Sequence, residues 1–165
     1  MEEHTLRVLE FDKVISKLQE QAACTLGREV AGLSYPTRDL ETAVRKQKET
    51  SEARAILQVE GAIPLGGIED IRQMVERAAI EALLQPHELL SVQGTLQASR
   101  RLGHFLGSHR EKYPILGGLG SEIERFESIE SEIGRAISGA GEVLDSASAA
   151  LARVRSELRT TQSRL

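Results

Sequence analysis

The chain has 165 residues, 40% of them apolar but only 3% aromatic and none Trp, with a formal net charge of −4. That length suits one domain with room for two sub-bundles, and the core must be Leu, Ile, Val and Ala, which favours closely packed helices. The charge excludes a surface given over wholly to nucleic acid, the lone Cys24 excludes an internal disulfide and suits a reducing compartment, and no apolar run reaches the ~18 residues of a membrane span.

Met-Glu-Glu-His-Thr at the start lacks the basic and apolar stretches of a secretory signal, so a cytoplasmic location is expected. Leu6, Leu9, Val14, Ile15 and Leu18 predict helix from about His4 to Cys24, bent near Phe11-Asp12, with Asp12 as N-cap. Thr25 restarts a helix through Leu26 and Val30 to Gly32-Leu33-Ser34, and Pro36 breaks it. Asp39 or Thr37 then caps a long helix to about Glu60. Its polar middle reads as a solvated face, with Glu41–Arg45 and Arg45–Glu49 spaced to pair for ~0.3–0.5 kcal/mol each.

Gly61 to Gly67 is a linker-like turn, and Ile68, Ile71, Val75 and Ala78 predict a short helix to about Ala79. Pro86 opens the next helix at a position where its missing N–H costs nothing. That helix runs to about Ser108, and the small Ser99 and Gly103 on its apolar stripe invite a close partner helix. Tyr113 to Gly120 reads as a second break. Ser121-Glu122-Ile123-Glu124 has capping-box spacing and opens a helix carrying Ile123, Phe126, Ile129, Ile133 and Ile137, which a second cap near Ser128 to Ser131 would split in two. No sheet is expected beyond a brief extended piece at Glu142-Val143-Leu144.

After a loop at Gly139 and Gly141, Leu144, Ala147, Leu151, Val154, Leu158, Thr161 and Leu165 alternate in threes and fours and predict one long amphipathic helix. Asp145 or Ser146 is its expected cap. No Gly or Pro ends it, so the helix reads as cut while still running and the chain as the front part of a longer protein. The expected fold is an all-α multi-helix bundle with a truncated C-terminal helix and sub-bundles at about 1–60 and 68–165.

Candidate chemistry is sparse. Neither glycine cluster is followed by Lys, and Glu69, Asp70 and Glu122 stand where a phosphate loop needs cations. His104 and His109 are five apart, the wrong spacing for two helical ligands on one ion, and Cys24 has no nearby partner for a thiolate site. No catalytic, cofactor or metal residue is assigned, and this piece is not expected to be an enzyme. The basic residues of the last helix, Arg153, Arg155, Arg159 and Arg164, face only Asp145 and Glu157 in sequence. They are explained by the helix dipole, or they lead toward a phosphate-binding region and form a nucleic-acid contact. Arg100, Arg101, Arg110 and Lys112 read as ordinary surface. Residues alone therefore leave open a stand-alone nucleic-acid-binding or protein-docking helical module.

Four segments carry a resemblance. They are Leu9-Glu10-Phe11-Asp12-Lys13-Val14; Ala22-Ala23-Cys24-Thr25-Leu26-Gly27-Arg28-Glu29; Gly66-Gly67-Ile68-Glu69-Asp70-Ile71-Arg72; and Gly141 to Ser148 followed by Leu151, Val154 and Arg155. In this order and spacing they resemble the MutS family, in its bacterial type-two branch. The resemblance implies the N-terminal part of the helical core, or lever, of a DNA-binding ATPase that restrains homologous recombination. It implies a parent that binds branched or mismatched DNA through a clamp, uses ATP and Mg, works as a homodimer, and in some members carries a nuclease domain or acts on stalled ribosomes. Clamp, ATPase and nuclease motifs would all follow Leu165, so no family site residue is carried onto this chain.

Overall fold

The computed structural model describes residues 3–163. Among them the protein is all-α: nine α-helices, one 3-10 turn, and a single antiparallel bridge between Ile137 and Val143 in place of any sheet. No described helix is long and apolar enough to cross a membrane. Contacts group the chain into two compact units that are discontinuous in sequence, whereas the expected sub-bundles, 1–60 and 68–165, are contiguous. The first unit is the chain up to Asp70 with Ala98–Glu124; the second is Ile71–Gln97 with the chain from Arg125 onward.

In the first unit, α1 (Glu3–Val8), α2 (Phe11–Glu20) and α3 (Thr25–Gly32) are short and pack in sequence order. The bend between α1 and α2 falls at Glu10, which sits in the left-handed region at φ 51° and takes the N-cap position expected for Asp12. Asp12 lies instead in the first turn, where its charge meets the positive end of the helix dipole. Cys24 opens α3 by accepting the Gly27 N–H on its sulfur at 3.4 Å. Helix α4 (Leu40–Glu60) starts as expected, with the Asp39 carboxylate accepting the Thr42 N–H at 2.8 Å, and the expected Arg45–Glu49 pair stands at 3.6 Å. Gly61, at φ 76°, closes it by donating its N–H to the Leu57 carbonyl.

The predicted break at Tyr113 to Gly120 is a helix: α7 spans Pro114–Glu122. Pro114 is at its first turn, and Tyr113 before it, at φ −130° and ψ 76°, stays out of the helical region that a following proline disfavours. The glycines serve packing. A Cβ on Gly117 would lie 2.4 Å from the Arg110 Cα, and one on Gly120 would lie 2.5 Å from the Leu106 Cβ. Gly103 is the reciprocal partner on α6 (Pro86–Ser108), where a Cβ would come within 3.2 Å of the Gly120 carbonyl. The close partner expected from Gly103 is therefore α7. Below this contact lies a core of Ile56, Leu106 and Tyr113, with Leu102, Phe105 and Leu116 packed on it.

The second unit holds α5 (Arg72–Ala79), the first part of α6, α8 (Glu127–Ala136), the 3-10 turn Asp145–Ala147, and α9 (Ala149–Gln162). Three expected helix bounds move. The short helix begins at Arg72 rather than Ile68. Ser121 does not open a helix but lies in the last turn of α7, Ile123 is extended at ψ 110° after it, and the next helix begins at Glu127, close to the second cap expected near Ser128 to Ser131, and stops before Ile137, which is extended and pairs with Val143. The last helix starts at Ala149, a few residues later than a cap at Asp145 or Ser146 would place it, because Asp145–Ala147 is a separate turn, while Val143 of the expected extended piece is in that bridge. Its cap is Ser148, whose Oγ accepts the Leu151 N–H at 3.1 Å, rather than Asp145 or Ser146. Leu144 and Ala147 are thus off the predicted stripe, and Leu165 lies outside the described residues.

Candidate functional site

The richest polar constellation is at the base of α9. Asp145, in the 3-10 turn, faces the helix and takes two of its arginines. Its Oδ1 accepts from Arg155 Nη1 at 2.8 Å and its Oδ2 from Arg159 Nη2 at 2.9 Å. Arg155 and Arg159 are four apart and so stand on one helix face. Arg155 Nη1 also donates to the Val143 carbonyl at 2.9 Å, which ties the helix to the bridged segment. Hydrogen bonds first from Arg155 and then from Arg159 hold the Asp145 carboxyl below its ordinary range.

A second lock secures the turn to α8. Arg135 Nη1 donates to the Ser146 carbonyl at 2.7 Å, and Ser146 Oγ donates back to the Arg135 carbonyl at 2.6 Å. The turn therefore joins α8 to α9 through two polar locks and the Ser148 cap. Beyond the base, α9 leaves its apolar stripe open: Val154 is 55% and Leu158 56% exposed.

This geometry gives each candidate arginine a place. Arg155 and Arg159 are engaged by Asp145. Arg153 is the most exposed of the three and lies 3.7 Å from Glu157 on its own helix. Arg164 lies outside the described residues. The structure brings Arg155 and Arg159 together and leaves Arg153 apart from them. Sequence reading missed the role of Asp145, treating it only as a cap. Its partners are ten and fourteen positions on, and no helical period links those positions to a residue outside the helix.

Elsewhere, the start of α7 offers the N–H groups that commonly hold an anion, and the chain fills it with its own carboxylate. Glu52 of α4 accepts the Ile115 N–H at 3.0 Å and the Leu116 N–H at 2.9 Å. No cluster of three or more His, Cys, Asp or Glu suited to a metal occurs among the described residues. The arrangement is one of helix joints made by ion pairs and caps.

No family model matches the chain. Curated proteins do match it along its full length. It is 40% identical over 167 residues to a protein named Endonuclease MutS2 from Brevibacillus brevis, with 100% of this chain and 21% of that protein aligned. It is 44% identical over 165 residues to the Endonuclease MutS2 of Symbiobacterium thermophilum, again with 100% and 21% covered. A third, from a Geobacillus species, is 40% identical over 168 residues at the same coverage. The chain thus spans about a fifth of the length of the curated relatives it matches, and it is related throughout to proteins of that name.

Proposed function

We propose that this chain is the helical lever portion of a MutS-like DNA-binding ATPase, a load-bearing element with no catalytic residue of its own. The observation that carries this reading is identity of about 40% along the whole chain to proteins named endonucleases, of which it spans only 21%. In the parent, ATP with Mg, branched or mismatched DNA, a clamp, a homodimer partner and in some cases a nuclease domain or a ribosome belong to regions other than this one. The role of the parent is to restrain homologous recombination, in the cytoplasm.

Two features support a mechanical role. Packed helices transmit displacement when their joints are stiff, and the Asp145 and Arg135–Ser146 locks stiffen the base of α9. Large apolar side chains on the first three helices and the turn between α1 and α2 also remain open, with Val8, Leu9 and Val30 at 66%, 62% and 68% exposure, a surface suited to cover by a larger body. The chain itself does not suit a nucleotide. Glu52 takes the first amides of α7, and Gly66-Gly67 leads into Glu69 and Asp70. No step through ATP is assigned to these residues.

The test is to assay the purified chain for ATP hydrolysis and for duplex DNA binding across a salt series. The lever reading expects neither. ATP turnover on the order of 1 s⁻¹ or more would overturn it. DNA binding that weakens steeply with salt would replace it with the nucleic-acid module built on Arg153, Arg155, Arg159 and Arg164.

A further inference from the structure

His109 follows the last residue of α6, and Glu60 is the last residue of α4. The two side chains meet: His109 Nε2 lies 3.2 Å from Glu60 Oε1. The other ring nitrogen, Nδ1, lies 2.8 Å from the Phe105 carbonyl oxygen. Nδ1 also lies 3.2 Å from the Ser108 Oγ, whose own hydroxyl hydrogen goes to the same Phe105 carbonyl at 2.8 Å, so all the groups facing the two ring nitrogens stand as acceptors. A neutral imidazole carries one N–H, so it satisfies one side and turns a lone pair on the other. The imidazolium carries two N–H groups and satisfies both.

The ring is held in this orientation. It packs against Phe105 at 4.7 Å between centroids and against Tyr113 at 6.3 Å, and its side chain is only 23% exposed. Tyr113 belongs to the buried core with Ile56 and Leu106, and Phe105 packs against that core. Both helices end here, so their last carbonyls favour a cation and disfavour the Glu60 carboxylate standing alone.

We propose that His109 and Glu60 form a proton-operated latch that ties the C-terminal end of α4 to that of α6, closed while the ring carries both protons and loosened when it loses one. The charged groups facing the ring are Glu60 from α4 and, with the opposite effect, Lys112 from the turn after α6, whose Nζ sits 5.3 Å over the Tyr113 ring. Glu52, two turns earlier on α4, is committed to the α7 amides. The Phe105 carbonyl first, and Glu60 second, raise the His109 pKa above its ordinary 6.5, against opposition from partial burial and Lys112. A raised folded value gives stability that is complete below about 6.5 and is lost as pH rises through the folded pKa.

The experiment is a pH titration of the histidine Cε1–H signals by NMR on the 165-residue chain, alongside thermal melting at each pH. His109→Gln assigns the signal among the four histidines. The latch expects a His109 midpoint above 6.5 and melting temperature falling through that midpoint. It expects Glu60→Gln to lower the midpoint and flatten this part of the melting profile. It expects Lys112→Gln, a variant that keeps both latch residues, to raise the midpoint, which serves if Glu60→Gln does not fold. A midpoint at or below 6.5, or one that moves in neither variant, overturns the proposal.

Discussion

The carboxylate of Asp145 is shared between Arg155 and Arg159, one oxygen to each guanidinium, at 2.8 and 2.9 Å. Both arginines are on α9 and the aspartate precedes the helix, so the contact fixes where the rod leaves the turn.

Asp145→Asn should therefore lower the melting temperature and raise amide exchange in the first turns of α9, around Leu151 to Arg155. The pH dependence has a definite sign. The two arginines depress the Asp145 pKa below its ordinary 3.8, so its stabilisation is present above that value and is lost as pH falls through the lower folded value. Circular dichroism melts from neutral pH into acid should show a loss that the Asn variant lacks.

Arginine substitutions separate a structural role from a ligand-binding one. Arg153→Ala removes only an exposed pair within the helix and should change stability by less than about 0.5 kcal/mol. Arg155→Ala removes the bonds to both Asp145 and the Val143 carbonyl and should lower the melting temperature clearly more. Equal effects of the two in urea unfolding would contradict the lock.

The glycines of α7 predict opposite outcomes one residue apart. Gly117→Ala would push a methyl group against the Arg110 backbone and should destabilise by about 1–3 kcal/mol despite better helix propensity. At Gly118 nothing lies within 4 Å of an added Cβ, so Gly118→Ala should be neutral or stabilise by up to ~1 kcal/mol. Chemical denaturation of the two variants side by side is the measurement.

Removing the Glu52 carboxylate should loosen α7. Glu52→Ala leaves the Ile115 and Leu116 amides without their acceptor, a loss comparable to a missing N-cap, about 1 kcal/mol. Hydrogen exchange should report it first at Ile115 and Leu116, while the Asp39 cap of α4 is unaffected.

The all-α character, the Asp39 cap and the Pro86 start of α6 were legible in the sequence. Each is a local matter: a period of three and four places an apolar face, a short polar side chain reaches amides three residues on, and proline fits a first turn. The restart at Thr25 was visible for the same reason. What the sequence by itself could not decide was the meaning of residues whose reason lies elsewhere in the chain. Gly117 and Gly120 look like a break, and only the presence of Arg110 and Leu106 against them makes glycine the residue a helix needs there. Leu144 and Ala147 extend the last helix on paper, yet pairing of Val143 with Ile137 and capture of Arg155 and Arg159 by Asp145 start it later. Local periodicity determined that helices form; contacts between distant positions decided where they begin, because a hydrogen bond or a close packing contact outweighs the few tenths of a kcal/mol by which one residue prefers a helix.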